Sequence, residues 1–151
     1  NSMLVRLLYA SKAVDDVSQE ELMTILSQST AHNPASGITG ALCSSGRLFL
    51  QLLEGGRRQV NALYNQIVAD PRHKDVVILS YEEISERRFA NWSMGLVNLE
   101  RVNASVLLKH SESAALDPYG VSGMASMALL DELMATASIL GRADLLPSAA
   151  R

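Results

Sequence analysis

The order strand, helix, strand, strand, helix, strand, strand over the first hundred residues predicts an α+β sandwich, a mixed five-stranded sheet with two helices on one face and further helices at the C-terminal end. Three observations carry this. Several short runs alternate with period two, two segments repeat their apolar residues at helical spacing, and each helical segment has a single apolar stripe, so each needs one sheet face to cover. A strand-helix-strand crossover is right-handed, and a hairpin strand inserted between its ends lies beside the first strand. The result is the ferredoxin-like βαββαββ plan with an added strand.

The first strand is read from MLVRLLYA, residues 3–10, with Val5, Leu7 and Tyr9 on one side and Leu4, Arg6 and Leu8 on the other. A helix follows over residues 18–31. Ser18 with Glu21 three residues later is a capping box, Leu22, Ile25, Leu26 and Ser29 form the inward stripe, and His32, Asn33 and Pro34 stop it. Asn33 ordinarily serves there as a left-handed cap. The hairpin spans residues 33–55, NPASGITGALCSSGRLFLQLLEG, turning at Ser-Ser-Gly-Arg. A second helix over residues 57–69 turns Val60, Leu63, Tyr64, Ile67 and Val68 to one side and breaks at Asp70 and Pro71. The basic cluster Arg72-His73-Lys74 sits past that end, a solvated loop by default and able to hold a phosphate. Strands are then expected over residues 76–85 and 92–100, the last with Trp92, Met94 and Leu96 on a common face.

The chain divides into a functional domain, 3–100, and a helical extension, 101–151, that caps the sheet, joins copies of the chain or meets a partner. A short helical piece and a linker lead to a Met- and Ala-rich helix over residues 121–140, and residues 141–151 read as frayed. Asn1 and Ser2 ahead of Met3 have the look of an expression remnant.

Composition narrows the function. With 151 residues, 48% hydrophobic and 19% charged, the chain is globular in composition, and a formal charge of −3 argues against direct binding of nucleic acid. The single Cys43 excludes an internal disulfide and fits a reducing, cytoplasmic setting. The three histidines lack metal-ligand spacing, and neither a membrane span nor a signal peptide is expected.

The anomaly lies in LFLQLLE. Alternation puts Leu48, Leu50 and Leu52 on one face and Phe49, Gln51 and Leu53 on the other, so both faces are apolar and Gln51 is enclosed. An unpaired buried carboxamide costs on the order of 1–3 kcal/mol, so its polar atoms need partners; backbone or a bound water is the ordinary answer. Tyr9, Asn33, Gln51, Trp92 and Met94 come from four separate elements and form no hydrolytic grouping. Amide donors and acceptors, a phenol and a thioether suit a planar heteroaromatic ring with carbonyls and ring nitrogens.

Over residues 3–100 the chain resembles the BLUF family of flavin-binding blue-light sensors. The resemblance rests on the Tyr9 strand, on Ala31-His32-Asn33-Pro34 followed by Gly37-Ile38-Thr39-Gly40, on Phe49-Leu50-Gln51 with Leu53-Glu54-Gly55, on Asp70-Pro71-Arg72-His73, and on Arg87-Arg88-Phe89 with Trp92-Ser93-Met94. It implies a non-covalently bound flavin between the two helices, FAD, or FMN or riboflavin in its place. Tyr9 would give up an electron and a proton, and Gln51 would reverse or tautomerise its amide. Asn33 would meet the pyrimidine edge of the ring, Ile25 and Phe49 would line its pocket, Arg72 with His73 would meet the ribityl phosphate, and Trp92 and Met94 would relay the signal. The chain would then be a sensor and not an enzyme. With no catalytic segment after Glu100, its output would lie in another protein, of the cyclic-dinucleotide enzyme or transcriptional regulator type, and the chain would form a homo-oligomer. The competing reading is a flavin-free ferredoxin-like interaction module. An acylphosphatase-type hydrolase is disfavoured, because the loop after the first strand reads SKAVDD, acidic and without glycine.

Overall fold

The computed structural model describes residues 3–16, 18, 20–21, 35–90, 94–98, 102–115, 117–135 and 141–142. Within these, six strands form one sheet: β1 (Leu4–Ala13), β2 (Thr39–Ser45), β3 (Leu48–Gly56), β4 (His73–Ile84), β5 (Gly95–Asn98) and β6 (Gly141–Arg142), in the order β4-β1-β3-β2-β5-β6. The helices are α1 (Arg57–Ala69), α2 (Ala104–His110) and α3 (Gly123–Ala135). The sheet is mixed, as expected: β2 and β5 run parallel and the other neighbours antiparallel.

β3 lies beside β1, as the crossover argument requires, and its register sets Tyr9 opposite Gln51 and Arg6 opposite Glu54. The hairpin turns on Gly46, whose φ of 60° supplies the positive dihedral that a two-residue turn of this hand needs. Gly40 allows β2 to close on β3: a Cβ there would lie 1.9 Å from the Leu52 carbonyl oxygen.

Period-two alternation divides the core between the two faces of the sheet. One face carries Val5, Leu7, Tyr9, Phe49, Leu53 and Met94 with Val60 of α1. The other carries Leu8, Leu50, Leu52 and Phe89 with Leu107 of α2 and Leu129, Leu130 and Leu133 of α3. Each fully buried leucine contributes about 1.5–3 kcal/mol, so α2 and α3 are held as firmly as a core element. These helices cover the face opposite α1.

Several expectations need correction. The sheet has six strands rather than five, because Gly141 and Arg142, expected to fray, pair with β5. Backbone pairing, not apolar patterning, decides strand ends: β1 runs on to Ala13, and β4 begins at His73, so His73 and Lys74 are strand residues rather than loop. Val68, assigned to the apolar face of α1, is half exposed, while Leu63, Tyr64 and Ile67 pack inward. The long C-terminal helix spans Gly123–Ala135 within the expected residues 121–140. β4, at one edge, has two register shifts against β1, and Asp75 near the second has a φ of 53°. The body of the helix expected over residues 18–31 lies outside the described residues, yet its capping box is formed: Glu21 N donates to Ser18 Oγ at 3.0 Å and Ser18 N to Glu21 Oε1 at 2.8 Å.

Candidate functional site

The site begins with the rung that joins β1 to β3. Tyr9 and Gln51 face each other there and project toward α1, both buried. The Tyr9 hydroxyl donates to Gln51 Oε1, and Gln51 Nε2 donates to Met94 Sδ at 3.5 Å. Three buried side chains from β1, β3 and the residue preceding β5 thus form one hydrogen-bonded row. Among the described residues, the partners of the Gln51 carboxamide are side chains.

Tyr64 of α1 closes the other side of the phenol, edge-on, with ring centroids 5.8 Å apart. Burial, and secondarily the neighbouring Tyr64, pushes the Tyr9 hydroxyl above its ordinary range, so the phenol holds its proton at neutral pH. Phe49 lies on the same face two rungs away, paired with Ser11.

A carboxamide has two N–H donors and a carbonyl with two lone pairs. Among the described residues Tyr9 meets one lone pair and Met94 one N–H, so a second donor and a second acceptor on Gln51 are the groups a further polar edge would address. Those groups fit a ring carrying adjacent carbonyl and nitrogen functions, as a flavin does. Gln51, Tyr9 and Phe49 would hold that ring.

Arg72 and His73 stand apart from this row. Val14 N donates to Arg72 O at 3.0 Å and Ala13 pairs with His73, so both flank the C-terminal end of β1, four rungs or roughly 13 Å from Tyr9. The Arg72 guanidinium is exposed and forks onto Asp70 at 2.6–3.1 Å. Its hydrogen bonds and charge hold the Asp70 carboxyl down at about 2. An anion reaching this end would compete with Asp70 for Arg72. Ile25, Asn33 and Trp92 lie outside the described residues.

Sequence reasoning treated Glu54 only as part of a motif and left Arg6 without a role. The structure buries both. Glu54 is fully enclosed and accepts from Arg6 Nε at 2.7 Å and from the backbone amides of Arg88 and Phe89 at 2.8–3.1 Å. The signal was available: position 54 continues the Leu48, Leu50, Leu52 face, as Gln51 belongs to the opposite one.

Comparison with known proteins follows the same residues. The family described as "BLUF: Sensors of blue-light using FAD" matches residues 4–95, more than half of the chain. The chain is 37% identical over 97 residues to the "Blue light- and temperature-regulated antirepressor BluF" of Escherichia coli (strain K12), a match covering 64% of this chain and 24% of that curated relative. Among solved structures it is similar to "BlrB - a BLUF protein, dark state structure", with a TM-score of 0.74 and 31% identity over 90% of this chain and 98% of that one. It is also similar to "Klebsiella pneumoniae BlrP1 with FMN and cyclic diGMP, no metal ions", with a TM-score of 0.66 and 28% identity over 89% of this chain and 35% of that one. Fold and sequence agree, and the chain belongs to the BLUF family of blue-light sensors using FAD.

Proposed function

We propose that this chain senses blue light through Tyr9 and Gln51 and passes the outcome to another protein. The observation that carries the reading is the continuous row from the Tyr9 hydroxyl through the Gln51 amide to Met94 Sδ. The bound flavin supplies the absorption of blue light and the electron-accepting character. The Tyr9 proton is held by burial until the phenol loses an electron, and Gln51 Oε1 is the acceptor within reach when it does. Reversal of the Gln51 amide exchanges Oε1 for Nε2, which takes the acceptor from Tyr9 and turns a carbonyl oxygen toward the Met94 sulfur, itself an acceptor. Contact with the residue that leads into β5 therefore changes.

A single protein hydrogen bond nets about 0.5–1.5 kcal/mol, so the output is a population shift of roughly tenfold at most, not refolding. Asn33 and Ile25 complete the ring pocket with Phe49, Arg72 with His73 meets the phosphate, and Trp92 joins Met94 in the relay. Two similar proteins, an antirepressor and a protein solved with cyclic diGMP, support an output of the transcriptional regulator or cyclic-dinucleotide type. The chain acts in the cytoplasm as a homo-oligomer, without catalysing a reaction of its own; its single cysteine supports that location.

Absorption spectra of the flavin-loaded chain before and after blue light test the reading. A reversible red shift is expected, absent in Tyr9→Phe and in Gln51→Leu. A normal photocycle in Gln51→Leu overturns the role of the amide.

A further inference from the structure

We infer that Glu54 is a positioning residue that couples the Gln51 site to α3 by clamping the backbone of Arg88 and Phe89; the coupling rests on the photosensor reading above. The pairs Tyr9–Gln51 and Arg6–Glu54 stand three rungs apart on the same two strands. Three is odd, so the pairs project from opposite faces of the sheet. Gln51 points toward α1, and Glu54 points into the core that α3 covers.

The Glu54 carboxylate is 0% exposed. Its two oxygens accept from Arg6 Nε at 2.7 Å, from Arg88 N at 3.0 and 3.1 Å and from Phe89 N at 2.8 Å. Both carboxyl oxygens act as acceptors here, whereas a glutamine of the same shape would turn N–H groups toward other N–H groups. Arg87 adds a bond to Thr39 Oγ1 at 3.1 Å, so the loop is pinned to β2 as well as β3.

The clamped segment touches both ends of the path. Five residues after Phe89 the chain reaches Met94, 3.5 Å from Gln51 Nε2. In the other direction the Phe89 side chain packs with Leu129, Leu130 and Leu133, and Arg88 Nη1 donates to Asp131 Oδ2 at 2.7 Å. A change at Met94 therefore pulls on a loop that is fixed to β3 through Glu54, to β2 through the Arg87–Thr39 bond, and to α3 by two side chains. With the clamp closed, the movement passes to α3. With it open, the loop absorbs it.

Site-resolved amide exchange on the full flavin-loaded chain, in the dark and under blue light, tests this alongside absorption spectra. In Glu54→Gln, dark exchange at Arg88 and Phe89 is expected to rise about tenfold or more while β1 amides keep their protection. The light-induced absorption shift stays full size, and the light-induced change in exchange over residues 123–135 falls several-fold. Glu54→Asp restores part of it. Should Glu54→Gln fail to fold, Asp131→Asn replaces it, with normal dark exchange at Arg88 and a weakened light response over residues 123–135 expected. Unchanged dark exchange at Arg88 and Phe89 in Glu54→Gln overturns the clamp whether or not the chain responds to light. A full light response over residues 123–135 in either Glu54→Gln or Asp131→Asn, or none in the unsubstituted chain, overturns the coupling. A lost absorption shift in Glu54→Gln overturns the separation of Glu54 from the light-sensing site. No absorption shift in the unsubstituted chain counts against the photosensor reading and the coupling together, while the dark exchange still decides the clamp.

Discussion

Arg6 and Glu54 face one another across β1 and β3, and the guanidinium of Arg6 bridges the buried Glu54 carboxylate at 2.7 Å to the half-exposed Glu82 at 3.0 Å. The pair is an ionic crosslink through the middle of an otherwise apolar face. Breaking a buried pair by removing one partner costs about 3–5 kcal/mol, because the other charge is left enclosed.

Glu54→Ala is therefore expected to lower stability by about 3 kcal/mol for the broken pair, near the low end since Glu82 continues to hold Arg6, and by a further loss of about 1–3 kcal/mol for each of the Arg88 and Phe89 amides left without an acceptor. The double change Arg6→Met with Glu54→Leu removes both charges, yet the amides of Arg88 and Phe89 still lose their acceptor, at about 1–3 kcal/mol each. Urea unfolding of the three proteins should rank the single variant lowest and the double variant below the unsubstituted chain. A double variant as stable as the unsubstituted chain would show that those amides find water.

Gly40→Ala forces a Cβ against the Leu52 carbonyl oxygen, a contact of 1.9 Å if nothing moves. β2 must then draw away from β3. A loss of about 1–3 kcal/mol or more in unfolding free energy is expected, read as a lower urea midpoint, together with faster amide exchange along β2 and little change in β4.

Cys43 sits fully buried on β2, and burial alone pushes its thiol up to about 12. The thiolate is the reactive form, so a disulfide reagent at pH 8 should leave the folded chain unmodified and label it only as it opens. Mixing with reagent across a urea series checks this: the labelling rate should follow the unfolded fraction.

Tyr9 governs alkaline behaviour. Its pKa is raised in the fold, so its contribution is present below the unfolded value of about 10 and is lost as pH rises toward the folded one. One such group tilts stability by about 1.4 kcal/mol per pH unit over that window. Tyr9→Phe should flatten the decline in urea midpoint above pH 10 by that amount, although Tyr64 and Tyr119, also raised by burial, keep some slope in both proteins.

The sheet faces were legible because alternation in LVRLLY and LFLQLLE leaves only one way to sort the residues, and the helix over residues 57–69 because its stripe is bounded by Gly56 and by Asp70-Pro71. Gln51 stood out by the same alternation. Glu54 did not, since a glutamate before two glycines reads as the polar end of a strand, and nothing local announces that Arg6, forty-eight positions earlier, will neutralise it. Strand ends were misread wherever hydrogen bonding outlasted the apolar pattern, as at Ser11–Ala13 and at His73–Lys74. Two residues at Gly141–Arg142 are too few to carry any period at all.

The irregularities in β4 bear on how copies of this chain can meet. An incoming strand needs an unbroken ladder of amides and carbonyls, and two shifts of register with a left-handed residue at Asp75 interrupt that ladder along one rim of the sheet. Among the described residues the other rim, β6, offers two residues of backbone, less than a strand needs to hold on. Self-association would thus proceed through side-chain surfaces, leaving runaway edge-to-edge stacking disfavoured.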